Sequence, residues 1–175
     1  DAVFSMDGDV ADIAALIALC ERHDALLLLD DAHGFGVCGP QGRGSLAAAA
    51  RTGAQASRRV LYMATLGKAV GVSGAFVAGP SVLVEWLLQK TRSYTFATAA
   101  PALLAQSVRA ALRVIRDEPA RLQRLHRNIA QFRAGVPAVI AGTGWTLLPS
   151  PTAVQALVIG TNDDALRAMS ALADA

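Results

Sequence analysis

Ala25-Leu26-Leu27-Leu28-Leu29-Asp30-Asp31-Ala32-His33-Gly34-Phe35-Gly36 is the stretch that decides the fold class. An unbroken apolar run before the first carboxylate is how a strand covered on both faces reads, so a strand is expected over residues 25–29. A glycine-rich loop follows over 31–44, and a short helix is expected over 46–51. On the amino-terminal side, Ala2-Val3-Phe4 is a short apolar run ending at Ser5. Asp9 is placed to cap a helix over 11–23, with Ile13, Leu16, Ile17 and Cys20 on one face. On the carboxyl-terminal side, strands are expected over 60–64 and 75–78. Only about ten residues separate them, fewer than a parallel crossover needs, so this pair is expected to be antiparallel. Helices are expected over 81–89, over 101–116 with Pro101 in the tolerated first turn, and over 120–133. Asp117-Glu118-Pro119 breaks the helical run and is the candidate boundary between a first region, 1–116, and a second, 117–175. The second region is expected to hold strands over 145–148 and 154–159 and a helix from Asn162. Alternating strands and helices give an α/β layered protein with a mostly parallel sheet.

Composition narrows the function classes. The chain has 175 residues, 53% of them hydrophobic and 17% charged, so it can bury a substantial core and disorder is not expected. The net charge is +2 and the arginines are dispersed, which makes nucleic acid a poor partner. Cys20 and Cys38 lack Cys-x-x-Cys spacing and fit a reduced, cytoplasmic setting. The uncharged stretch 134–162 contains Pro137, Pro149 and Pro151, which argues against a membrane helix. No signal peptide is recognisable. The chain opens on what reads as the end of a strand, so a piece of a longer protein is expected.

In open α/β sheets, ligands bind at the carboxyl ends of strands. Three polar clusters fall there: Ser5-Met6-Asp7-Gly8-Asp9, Asp30-Asp31-Ala32-His33 and Thr65-Leu66-Gly67-Lys68. Lys68 is the only charged residue between Val60 and Val84, and lysine is rare in this chain. An ammonium among glycines and apolar residues loses hydration, which lowers its pKa and suits Schiff-base chemistry. Asp30, at the tip of an apolar strand, is costly to desolvate unless it meets a cation. A protonated pyridine nitrogen would be such a cation, as in enzymes that pair a lysine Schiff base with an acidic residue on the pyridoxal phosphate ring. Plainer alternatives stay open: Asp30 or Asp31 capping the loop, His33 as a partly buried structural histidine, and turn hydroxyls at Ser5 and Thr65. A metal site at Asp30, Asp31 and His33 lacks a second histidine or cysteine at useful spacing. Gly34-Phe35-Gly36-Val37-Cys38-Gly39 matches a dinucleotide fingerprint literally, but Pro40 and Gly42 stand where a helix should open. The P-loop and calcium-loop readings around Lys68 and Asp7 fail because Ala69 and Ala18 occupy required positions.

Taken in order, Val3-Phe4-Ser5-Met6-Asp7-Gly8-Asp9, Asp30 to Val37, Gly39-Pro40-Gln41-Gly42-Arg43-Gly44 and Thr65-Leu66-Gly67-Lys68 resemble the α-oxoamine synthases. These are fold-type I pyridoxal phosphate enzymes that condense an amino acid with an acyl thioester and release CO2. The resemblance implies part of the large, mostly parallel-sheet domain plus the start of the small carboxyl-terminal domain. The Ala32-His33-Gly34-Phe35-Gly36 version of the histidine motif is most like the branch that joins L-alanine to a pimeloyl thioester in biotin synthesis. It further implies that Lys68 forms the Schiff base and removes the alanine Cα proton. Asp30 would pair with the pyridinium nitrogen, His33 and Ser5 would contact the phenolic oxygen, and Thr65 would bind the phosphate. Residues 92–101 match a segment that reaches across a homodimer, with Thr98 donating to the partner's phosphate or capping a helix ahead of Pro101. Ala97 stands where a hydroxyl residue is often found. The family's glycine-rich phosphate loop and ring-stacking aromatic would lie upstream of Asp1, and its carboxylate-binding arginine beyond Ala175. The isolated segment is therefore expected to be inactive or nearly so.

Overall fold

The structure, a computed structural model, describes residues 1–54 and 56–174; Ala175, the last residue assigned to the second region, lies outside them. Its larger sheet has the order β1-β2-β3, formed by Leu27–Asp30 (β1), Val60–Thr65 (β2) and Ala75–Ala78 (β3). β1 and β2 are parallel, with Leu27 opposite Val60 and Asp30 opposite Met63. β2 and β3 are antiparallel, as their short separation requires. The segment before β1 joins the same sheet edge: Ala2 N donates to Asp30 O at 2.7 Å, and Val3 forms an antiparallel bridge with Val10.

Helix α1 (Ile13–Arg22) packs Ile13 and Ile17 into a core with Ala2, Leu29 and Val60. It starts later than the sequence pattern suggests, and its cap is Asp12 rather than Asp9. Asp12 Oδ1 accepts from Ala15 N at 3.0 Å, whereas Asp9 O is tied to Phe4 N in the turn before the helix. Helix α2 (Ser45–Arg51) packs against α1. The expectation that β1 is covered on both faces is corrected: Leu29 is buried but Leu28 is 66% exposed, so this chain supplies cover on one face only.

Beyond the sheet lie α3 (Ser81–Lys90), α4 (Arg92–Thr95), α5 (Ala102–Asp117) and α6 (Pro119–Val139). The break between α5 and α6 falls at Glu118, where Pro119 begins the next helix. A second, antiparallel pair of strands, Thr146–Leu147 (β4) and Leu157–Val158 (β5), precedes α7 (Asn162–Ala173). These strands are shorter than the apolar runs suggest, because Ser150 to Gln155 is committed to a polar bend. Ser150 Oγ and Thr152 Oγ1 both donate to Gly8 O, at 2.8 and 3.2 Å. Gln155 Nε2 donates to Thr152 O, and its Oε1 accepts from Arg133 of α6. The second region is thereby hydrogen-bonded to the turn that carries Ser5. Among the described residues no helix is long and apolar enough to cross a membrane.

Candidate active site

Parallel pairing of β1 with β2 brings two of the polar clusters together. Asp30 ends β1 beside Met63, two residues before Thr65 ends β2. The chain then turns through Leu66 to Gly74, with Val72 N donating to Leu66 O and Gly71 N to Lys68 O. That turn carries Lys68 back toward the loop after β1, where its Nζ lies 2.9 Å from His33 Nε2. One nitrogen donates and the other accepts, and the imidazole tautomer decides which. Lys68 itself is exposed. The desolvation expected from its apolar sequence neighbours is therefore not supplied by this chain, because Gly67 and Ala69 are exposed with it.

Asp30 is half-buried and its Oδ1 accepts from Ala32 N at 2.9 Å, which gives the loop-cap reading a real contact. Among the described residues no cationic side chain pairs with it. Thr65 Oγ1 is buried and, among the described residues, has no hydrogen-bond partner. A buried hydroxyl left unpaired costs on the order of 1–3 kcal/mol. A strand-end carboxylate without a cation, an orphaned hydroxyl and an accessible amine held by a histidine form a donor set that fits pyridoxal phosphate.

The other two expected residues are placed differently. Ser5 is exposed in the turn closed by Gly8 N to Phe4 O and Phe4 N to Asp9 O, beside the end of β1. Its hydroxyl makes no hydrogen bond to His33 or Lys68 among the described residues. Thr98 is exposed between α4 and α5 and likewise bonds to none of the cluster. Nor does it cap α5, whose N-cap position is Pro101, without a side-chain cap bond.

Sequence reading offered Asp31 only as a possible loop cap and missed what it does. Asp31 is fully buried. Its Oδ1 accepts from Ser45 Oγ at 2.6 Å, and its Oδ2 accepts from Ser45 N at 2.7 Å and Tyr62 Oη at 2.6 Å. Burial, then the bond to Asp31, pushes the Tyr62 phenol well above its ordinary range. Burial likewise raises the Cys38 thiol, and the Ser45 hydroxyl partly opposes it. Gly34 and Gly44 are small for the same reason: a Cβ on either would run into the Asp31 carboxylate. A glycine directly before the hydroxyl residue that opens a helix, Gly44-Ser45, was the available sequence signal.

A cavity of about 850 Å³ opens between α2 and β2–β3, lined by Phe35, Arg43, Leu46, Val60, Tyr62 and Pro80 among others. It contains none of the expected site residues.

Comparison with known proteins bears on the family and the fold. The family model described as aminotransferase class I and II matches residues 1–175. The 8-amino-7-oxononanoate synthase of Paracidovorax citrulli (strain AAC00-1) is 70% identical over 172 residues, covering 98% of this chain and 42% of that protein. The same-named protein of Delftia acidovorans (strain DSM 14801 / SPH-1) is 67% identical, with the same coverage. The chain thus spans less than half the length of these curated relatives. Among solved structures, the 8-amino-7-oxononanoate synthase of Francisella tularensis superposes with a TM-score of 0.78 at 25% identity, over 99% of this chain and 49% of that one. A serine palmitoyltransferase from S. paucimobilis, solved with bound PLP, superposes with a TM-score of 0.79 at 25% identity, over 93% of this chain and 40% of that one.

Proposed function

Because this chain belongs to the aminotransferase class I and II family, we propose that it carries the lysine-bearing part of a pyridoxal phosphate enzyme. The reaction is the decarboxylative condensation of L-alanine with a pimeloyl thioester, giving 8-amino-7-oxononanoate, CO2 and free thiol. The observation that carries the reading is the 2.9 Å approach of Lys68 Nζ to His33 Nε2 above the Asp30 strand end. When bound, the cofactor supplies a carbonyl that condenses with amines and a ring that accepts the electron pair left at a substrate Cα. Lys68 would hold it and then remove the alanine Cα proton. His33 orients the Lys68 amine through the hydrogen bond between them. Asp30 would pair with the ring nitrogen, Ser5 and His33 would contact the phenolic oxygen, and Thr65 Oγ1 would donate to the phosphate.

The working protein is proposed to be a cytoplasmic homodimer in which Thr98 reaches the partner's cofactor phosphate. Support comes from the segment around it, where Tyr94 and Phe96 are 63% and 82% exposed and so available to a second copy. Residues 1–116 are assigned to the large domain and 117–175 to the start of the small one. Identities of 70% and 67% to relatives named 8-amino-7-oxononanoate synthase support this product.

The test is chemical. The full-length protein, loaded with pyridoxal phosphate and treated with borohydride, should retain pyridoxyl on Lys68. It should also prefer alanine to glycine and serine by at least about tenfold in kcat/KM with pimeloyl thioester. Label found only on Lys90, or no label, would sink the cofactor reading. Preference for serine would sink the substrate reading alone.

A further inference from the structure

We propose that Asp31 is a positioning residue: its buried carboxylate aims the turn that holds His33 against Lys68. The claim rests on reading Lys68 and His33 as cofactor-facing groups and adds the device that sets their approach. Asp31 is anchored on both its backbone and its side chain. Its N donates to Met63 O at 2.8 Å, which ties it to β2, the strand that leads to Lys68. Its carbonyl accepts from Gly34 N at 3.1 Å and Phe35 N at 2.9 Å, which closes the turn around His33. Its carboxylate is held from the far side by Ser45 N, Ser45 Oγ and Tyr62 Oη. His33 therefore sits on a turn whose first residue cannot rotate without breaking a three-donor clamp.

Energetics favour orientation over bulk stability as the reason for the clamp. A carboxylate with no exposed surface and only neutral donors is an expensive way to fill space, and apolar replacements of similar volume are often as stable. What an apolar filling does not supply is direction. Hydrogen-bonded carboxylate geometry fixes the turn in one orientation, and satisfied buried networks specify a unique arrangement. The clamp also reaches across the sequence: Ser45 opens α2, and Tyr62 lies in β2, one residue before the Met63 that receives the Asp31 N–H. Tyr62 of β2 and Ser45 of α2 thus converge on one side chain, two residues before His33.

The experiment uses the full-length protein with Asp31→Asn, which keeps the volume but presents an amide where one oxygen accepted, and with Tyr62→Phe, which removes one donor and leaves the carboxylate. Three readouts are needed. In the cofactor-free protein the His33 ring resonances should move in both variants while those of His23, on the far end of α1, stay in place. In the loaded protein the pH profile of the visible absorbance should shift. Turnover should fall about 10–100-fold for Asp31→Asn in kcat, with the alanine KM changed less than about threefold, the loss expected for an ångström-scale misplacement. Tyr62→Phe should show a smaller loss of the same kind. If Asp31→Asn does not fold, Tyr62→Phe carries the test alone. Unmoved His33 resonances with an unshifted pH profile would overturn the proposal, even if the variants were less stable. Failure of the wild type to take borohydride-fixed pyridoxyl on Lys68 would remove the cofactor reading, and the resonance test would still decide whether Asp31 sets the His33 turn.

Discussion

Gly36→Ala is expected to damage the protein in a way that separates local strain from displacement of Lys68. Gly36 has φ of +85°, in the left-handed region. An L-residue there costs roughly 1–2 kcal/mol. The added Cβ would also stand 2.6 Å from the Ala69 Cβ. Carbon atoms rest about 3.5–4.0 Å apart, so about 1 Å must be opened between the two loops. Forcing a methyl into such a contact costs about 1–3 kcal/mol more. Ala69 directly follows Lys68, and the turn is closed by Gly71 N donating to Lys68 O at 3.0 Å. Displacing Ala69 therefore displaces Lys68 from His33, and an error of about 1 Å at a reacting group costs about 100-fold in rate. The assay is denaturant unfolding and turnover of the full-length variant, beside the double variant Gly36→Ala with Ala69→Gly. Removing the Ala69 methyl relieves the clash but leaves the φ strain. The double variant should regain most of the activity while remaining less stable than wild type. The reasoning is refuted if Gly36→Ala alone stays within about threefold of wild-type turnover, or if the double variant is no more active than the single.

Thr65→Val should stabilise the cofactor-free protein by about 1 kcal/mol, because it replaces an orphaned buried hydroxyl with a methyl of the same shape. It should also weaken pyridoxal phosphate binding about tenfold; unchanged affinity would remove Thr65 from the phosphate site. Tyr62→Phe should cost about 1–3 kcal/mol near neutral pH, the worth of a hydrogen bond to a carboxylate. The Tyr62 pKa is raised on folding from its ordinary 10.0, first by burial and then by the bond to Asp31. Its stabilisation is thus complete below the unfolded value and is lost as pH rises past it. The gap between wild type and Tyr62→Phe should therefore narrow above about pH 10 in denaturation curves, and a gap constant across that range would contradict the assignment.

The placement of the polar clusters at neighbouring strand ends was legible in the sequence. Asp30, His33, Thr65 and Lys68 were recognisable because their spacing puts them at strand ends, where the backbone alone dictates direction. The antiparallel β3 followed from a connection too short for a crossover, a constraint of chain length. Local competition was harder to read. Asp9 and Asp12 are both competent helix caps, and the Val3–Val10 bridge, which occupies the Asp9 carbonyl, handed the cap to Asp12.

Sequence by itself determined the layered α/β alternation and the order of the polar clusters, since these depend on periodicity and turn residues. Tertiary structure alone decided which groups meet. Asp31 finds Ser45 and Tyr62 at separations of 14 and 31 residues, and Gly8 finds Ser150 and Thr152 at 142 and 144. Nothing local in the chain encodes those encounters. They exist because a buried carboxylate or carbonyl must be paired once water is excluded, and only the packed sheet and helices determine which donors are within reach. The same packing left Lys68 exposed and Leu28 bare on the open face of β1.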